Sequence, residues 1–301
     1  MNPKLLALKV DVDTLRGTQE GVPRLIEVLR KHQAGASFLF SLGPDNTGRA
    51  LKRIFRRGFL SKVSRTSVLE HYGIKTLSYG ILLPGPDIGK KAGDIMRATR
   101  AAGFECGVHA WDHVKWHDQV RHASSEWTIR EWTMAQQRFR EVFGCSPQVT
   151  GAAGWQINET TVRMQAASGL EYVSDGRGPS PYRVLLDGQA VGPIQYPTTL
   201  PTLDEIIGRE GVDLRNCPEH LLRVTKDSNP GLPQVFTLHA ELEGGKWLPI
   251  FERLLAGWRT QGYELVDLRG LHLYWQGREI GAQTLQWGTV PGRAGELLIS
   301  L

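Results

Sequence analysis

The chain has 301 residues, a formal net charge of +5, 41% hydrophobic and 22% charged residues, and three cysteines. This balance excludes a disordered chain and supplies enough apolar material for one large domain or two small ones. The scattered Cys106, Cys145 and Cys217 exclude a disulfide framework and a thiolate zinc site, and no apolar run approaches the roughly 18–20 residues of a spanning helix.

The opening MNPKLLALKVDVD is broken by Lys9 and Asp11 and lacks a secretory apolar core, so a cytoplasmic location is expected. LLALKVDVD reads as a first strand. It ends on Asp11 and Asp13, which lie two apart and therefore on one face. Two crowded carboxylates repel, so a positive group is expected between them. GVPRLIEVLRKHQ reads as a helix with Pro23 near its start, and ASFLFSLG as a second strand. A stretch from about Pro44 to Lys90 breaks the pattern and reads as an insertion. AGDIMRATRAAG then reads as a helix closed by Gly103, and FECGVHAW as a strand. The theme repeats through helix SSEWTIREWTMAQQRFREVFG, strand QVTGAAGW, helix NETTVRMQAASG, strand LEYVSD, strand PQVFTLHAE, helix GKWLPIFERLLAGWRTQG and strand YELVDL. Strands alternating with helices imply parallel pairing, and this many units suggest an α/β barrel. One domain is expected over residues 1–270, with a β-rich tail over 271–301.

Four groups of chemistry-bearing residues fall at the ends of predicted strands, where such barrels place active sites. They are Asp11 with Asp13, His109 with His113 in GVHAWDH, Asp175 in SDGRG, and His239 in FTLHAE. If the chain turns helical after the strand, His109 and His113 share a face and grip one cation; the alternative is two ordinary, partly exposed histidines. His117 would lie two helical turns from His109, about 12 Å along the axis, out of reach of the same ion. For Asp175 the composition of SDGRG equally suits a turn.

The ordered set DVD, HAWDH, SDG and TLH resembles the polysaccharide deacetylase family, also called the NodB-homology or carbohydrate esterase family 4 group, over roughly Lys4 to Leu268. The resemblance implies a distorted (β/α) barrel and one divalent ion (Zn, Co, Mn, Ni or Fe) on Asp13, His109 and His113. It further implies Asp11 as general base, His239 as the acid, and Asp175 as the carboxylate that orients and charges that histidine. LKVDVDTLRGTQEGVPRL, GPDNTGR, AAGW, YPTTLPTLDEIIG and TLHAELEG are similar to a subgroup that deformylates 4-deoxy-4-formamido-L-arabinose on undecaprenyl phosphate. That subgroup leads to amino-sugar-decorated lipid A and polymyxin resistance. Two departures stand out. The family's Arg-x-Pro-Tyr motif, whose Arg tethers the base, is replaced by GAAGWQIN, and Gly176 follows Asp175 where the family has Trp. What holds Asp11 is thus open, with Arg16 and Arg177 as candidates. Trp155, Arg177, Asp204 and Glu205 are candidate substrate contacts, although QYPTTLPTLDE also suits an ordinary turn.

The insertion carries RALKRIFRRGFLSKV, in which Ile54, Phe55 and Phe59 fall on one helical face and Arg49, Lys52, Arg53, Arg56 and Arg57 on the others. A basic amphipathic helix fits an anionic membrane surface, at about 1 kcal/mol per cation; the alternative is a solvated helix packed on the barrel. No nucleic-acid module accompanies the charge, so no nucleic acid is expected. With no export signal, the expectation is a peripheral enzyme on the inner face of the bacterial inner membrane. Two other functions stay open: an N-acetyl-sugar deacetylase of the same family, and a nucleotide-sugar glycosyltransferase using Asp11 and Asp13 as a DxD motif.

Overall fold

The computed structural model describes residues 3–50, 73–229 and 231–300. Its centre is β1 (Lys4–Val12), buried from Leu5 onward, as expected for a strand covered on both faces. β2 (Ser37–Ser41) pairs in parallel with Lys9–Val12, and β7 (Gln234–His239) runs in parallel along the other edge, with Asp11 opposite His239. β3 (Glu105–Ala110) extends the sheet beyond β2, and β8 (Tyr263–Val266) pairs with the start of β1. The result is the α/β architecture with a parallel central sheet that the alternating elements imply. Single steps carry the backbone pairing round from β3 towards β7. Val108 bridges Thr150, Ser174 N donates to Thr150 O, β4 (Tyr172–Val173) pairs with β6 (Gln189–Gln195), and Thr199 N donates to Val235 O.

The two faces of β1 have separate tasks. Leu6, Leu8 and Val10 pack outward on Leu25, Leu29, Phe251, Leu255 and Trp258 of the flanking helices. Each such fully buried side chain contributes about 1.5–3 kcal/mol. Ala7, Lys9 and Asp11 face the other way by strand alternation, and Ala7 packs there with Leu39, Val149 and Val235. The hydrophobic face thus anchors the strand, and the opposite face carries the ionisable groups.

Some elements depart from the sequence reading. β5 (Tyr182–Leu186) and β6 form an antiparallel hairpin turning at Asp187 and Gly188, where both residues have positive φ. LEYVSD shrinks to the two residues of β4. The helix Ile88–Ala101 starts inside the span read as insertion, because Asp87 caps it by accepting from Lys90 N. The span read as an insertion has a closed neck, where Pro44 bridges Asp87 and Asp45 N donates to Pro86 O. Of the predicted basic helix Arg49 and Ala50 are described, Arg49 exposed, with Nε donating to Gly80 O at 3.1 Å; Lys52, Arg53, Ile54, Phe55, Arg56, Arg57 and Phe59 lie outside the described residues. In the tail, β9 (Gly281–Gln283) joins β5, and β10 (Gln286–Gly288) pairs with β11 (Leu297–Ile299). Ser300 N donates to Arg177 O at 2.7 Å, which ties the tail to the loop after β4. Among the described residues no helix is long and apolar enough to cross a membrane.

Candidate active site

Asp13 follows the end of β1 and meets two histidines, one from β3 and one from the start of the helix after it. Its Oδ1 lies 3.3 Å from His109 Nε2 and its Oδ2 3.5 Å from His113 Nε2. His109 sits on β3 and His113 is the first residue of the helix His113–Gln119. The pair therefore converges across a strand-to-helix turn, not along one helical face, and its rings stack 5.3 Å apart. Asp112 caps that helix through Lys115 N at 3.1 Å and accepts from Asn46 Nδ2 at 2.6 Å, so the insertion's neck holds the helix start. His109 Nδ1 lies 2.7 Å from Gly151 O. A carbonyl only accepts, so Nδ1 donates its hydrogen there and Nε2 is the nitrogen turned to Asp13.

One donor atom from each of Asp13, His109 and His113 lies within 4.8 Å of the other two, and Asp13 Oδ1 is buried with no hydrogen-bond partner among the described residues. Two imidazole nitrogens and an orphaned carboxylate oxygen suit one divalent ion with positions left open. Burial opposes ionisation of Asp13, but His113 and His109 outweigh it and hold the carboxyl well below its ordinary range. Behind it, Glu241 Oε1 accepts from Asp13 N at 3.1 Å and Thr14 N at 2.8 Å. Burial and the Asp13 charge push Glu241 up to about 8.

Asp11 is 3% exposed and is held by a group absent from the expected set. Lys9 Nζ lies 3.1 Å from Asp11 Oδ2, while Asp11 Oδ1 lies 3.7 Å from His109 Nδ1 and has no hydrogen-bond partner among the described residues. Arg16 pairs with Glu20 and Arg177 with Glu205; the cation at Asp11 is Lys9. Asp175 is buried and accepts from Ala152 N, Gln165 Nε2 and Gln195 Nε2 at 2.8, 2.8 and 2.9 Å. Burial raises it despite those bonds.

The structure gives Asp175 and His239 different partners: the oxygens of Asp175 accept from amides, and the groups that charge His239 are other carboxylates. Burial lowers His239, but Asp204, Asp13 and Glu243 together raise it above its ordinary value. Glu243 Oε2 accepts from His239 N at 2.8 Å, and burial pushes Glu243 up to about 7. Asp204 is held below its ordinary range, against its burial, by Arg293 and His239. Glu205 is buried and accepts from Arg177 and, at 2.8 Å, from Arg293 Nε. Trp155 donates to Thr198 Oγ1 at 3.2 Å, and the guanidinium groups of Arg177 and Arg293 lie 5.1 and 4.8 Å from its ring centroid. Arg177, Glu205 and Trp155 thus form a cross-braced wall, completed by Arg293 from the tail.

Residues 1–173 match the family model described as polysaccharide deacetylase. The chain belongs to the polysaccharide deacetylase family. Over 267 residues it is 36% identical to a protein of Shewanella sediminis described as "Probable 4-deoxy-4-formamido-L-arabinose-phosphoundecaprenol deformylase ArnD", covering 89% of this chain and 85% of that one. A protein of Wigglesworthia glossinidia brevipalpis with the same description is 30% identical over 280 residues, 93% of this chain and 96% of that one. A crystal structure from Mycobacterium smegmatis, described as a "putative polysaccharide deacetylase", has the same fold, with a TM-score of 0.63 at 15% identity and 96% of each chain covered. As a polysaccharide deacetylase the protein is a hydrolase of amide bonds.

Against the family pattern, two residues explain the departures. Lys9 supplies a cation at Asp11 where the third motif has no arginine. At Gly176 a Cβ would stand 3.0 Å from Leu298 Cδ2, so the tail fills the space beside that position. Lys9 carries a signal in the sequence, since it shares strand parity with Asp11 and Asp13. Arg293 carries none, being brought to the site by tail packing alone.

Proposed function

We propose that the protein hydrolyses the formamide of 4-deoxy-4-formamido-L-arabinose carried on undecaprenyl phosphate, releasing formate and the 4-amino sugar for lipid A modification and polymyxin resistance. The observation that carries this reading is Asp11 Oδ1, a buried and unpartnered carboxylate oxygen beside the Asp13–His109–His113 cluster, on a strand whose neighbour presents His239 in register. The relatives' described activity supplies the acyl group and the sugar.

Asp13, His109 and His113 would hold the divalent ion, Zn, Co, Mn, Ni or Fe, whose chemistry is to polarise the acyl oxygen and acidify a water. Asp11 Oδ1 takes the proton of the water that attacks the formyl carbon. His239, kept protonated by the carboxylates around it, gives a proton to the sugar nitrogen as the C–N bond breaks. Asp204, Arg177 and Trp155 line the approach to the sugar.

On this reading the lipid-linked substrate is met at the inner face of the inner membrane, with the cationic sequence RALKRIFRR as the candidate contact for anionic lipid. Ile74 and Leu82, at 79% and 82% exposure, add apolar contacts on the same insertion. The DxD glycosyltransferase reading is disfavoured, because Asp11 is paired to Lys9 and Asp13 to two histidines.

The test is mass-spectrometric. Chelator-stripped protein, reloaded with each metal in turn, is given the undecaprenyl phosphate-linked formamido sugar in detergent. Metal-dependent loss of the formyl group, abolished in His109→Ala, is expected. Hydrolysis of N-acetyl sugars alone would replace the substrate, and activity that survives chelation would remove the metal.

A further inference from the structure

Lys9 is fully buried in the middle of the central strand. Its ammonium group lies 3.1 Å from Asp11 Oδ2 and 5.6 Å from the Trp155 ring centroid, and its charge acts on buried Asp175. The space it occupies is kept open by the chain: a Cβ on Gly151 would stand 2.9 Å from Lys9 Cε and 2.8 Å from Ser174 O. Three N–H donors are available on an ammonium, yet no hydrogen bond of good geometry is made by Nζ among the described residues. An ion pair so poorly satisfied is a weak stabilising device, and an apolar side chain of the same length would serve packing as well. Its position is informative in another way. Lys9 occupies one oxygen of Asp11 and leaves the other, Oδ1, turned towards His109.

We propose that Lys9 is a positioning residue for the hydrolysis, acting through Asp11: it fixes the carboxylate rotamer, offsets its charge beside Asp13, and reserves Oδ1 for the attacking water. The inference rests on the function proposed above. It assigns to the base's own strand the tether that the third motif lacks. A carboxylate without this partner is free to rotate away from the water or towards the Asp13–His109–His113 cluster, and either movement removes the base while leaving the cluster's ligands in place.

The experiment compares Lys9→Met and Lys9→Arg with the wild-type protein. With the lipid-linked formamido sugar, Lys9→Met should lose about 100-fold or more in kcat, the usual worth of a placed base, with KM within about threefold and unchanged Co²⁺ binding and absorption. Lys9→Arg, which keeps a cation beside Asp11, should recover to within about tenfold of wild type. A second readout needs no substrate. Lys9→Met and Asp11→Asn should each lower the unfolding midpoint by on the order of 10 °C, and the double variant should regain most of that, since breaking a buried pair costs more than replacing it. Should the single Lys9→Met variant fail to fold, recovery of folding in the double variant is the same coupling. Wild-type kcat in Lys9→Met, loss of Co²⁺ binding in that variant, a Lys9→Arg protein as inactive as Lys9→Met, or additive midpoints would each overturn the inference. If the wild-type protein does not deformylate this sugar, the proposed function fails, and the midpoint coupling still decides whether Lys9 holds Asp11.

Discussion

His239 is the clearest case of one side chain set by residues far away in sequence. Burial alone would keep its imidazole neutral, and Asp204, Asp13 and Glu243 reverse that. A base whose pKa is raised stays protonated to higher pH, so the acid form persists until pH passes the raised value. Asp204→Asn removes the largest of the raising charges. The alkaline limb of the kcat profile should then move to lower pH, with near-wild-type kcat below it, and a stopped assay across pH would measure this. An unmoved limb would mean that Asp204 does not charge His239. The same residue shows a limit of sequence reading: Asp204 stands in a stretch that suits an ordinary turn, and only folding brings its charge to bear on the histidine.

At the scale of elements, the site depends on how a strand hands over to a helix. His109 belongs to β3 and His113 opens the next helix, so the angle of that helix sets the distance between the two imidazoles. Asp112 fixes the angle through its cap to Lys115 N and its bond from Asn46. Loss of such a cap costs about 1 kcal/mol, and loss of a group supporting metal ligands lowers affinity by roughly 10–100-fold. Asn46→Ala should therefore weaken Zn²⁺ or Co²⁺ binding by about tenfold in a chelator competition while leaving the far-ultraviolet spectrum unchanged; unchanged affinity would free the insertion's neck from any part in the site. Much of the architecture was legible in the sequence because apolar runs and amphipathic helices alternate, and this pattern follows from burial on both sheet faces. The β5–β6 hairpin was not, because PYRVLLDGQAVGPIQ interrupts a parallel series with a local turn. Lys9 was legible in principle through its parity with Asp11, but it also reads as a charge that merely interrupts an apolar run. Asp175 illustrates the reverse: its place among strand-end residues is as expected, whereas its partners, Gln165 and Gln195, give no motif.

On the scale of the whole molecule, the deformylase reading needs a protein that works on a polar sugar tethered to a very long hydrocarbon. On that reading the span from Pro44 to Lys90, read as an insertion, serves both demands. Its neck touches the helix of His113 through Asn46, and a turn packed beside Asn46 exposes Ile81, Leu82 and Leu83, held by Ser78 O, which accepts from the backbone N–H groups of all three. Exposed apolar groups favour an interface over bulk water, because inserting them gains apolar burial. Leu82→Ser with Leu83→Ser should weaken co-sedimentation with vesicles containing anionic phosphatidylglycerol. The same change should raise KM for the undecaprenyl phosphate-linked sugar several-fold and leave kcat unaltered. It should also leave KM unaltered for a water-soluble formamido sugar, which approaches from solution. Equal losses on both substrates would show that the turn shapes the site itself, and unchanged vesicle binding would move the membrane contact elsewhere on the protein.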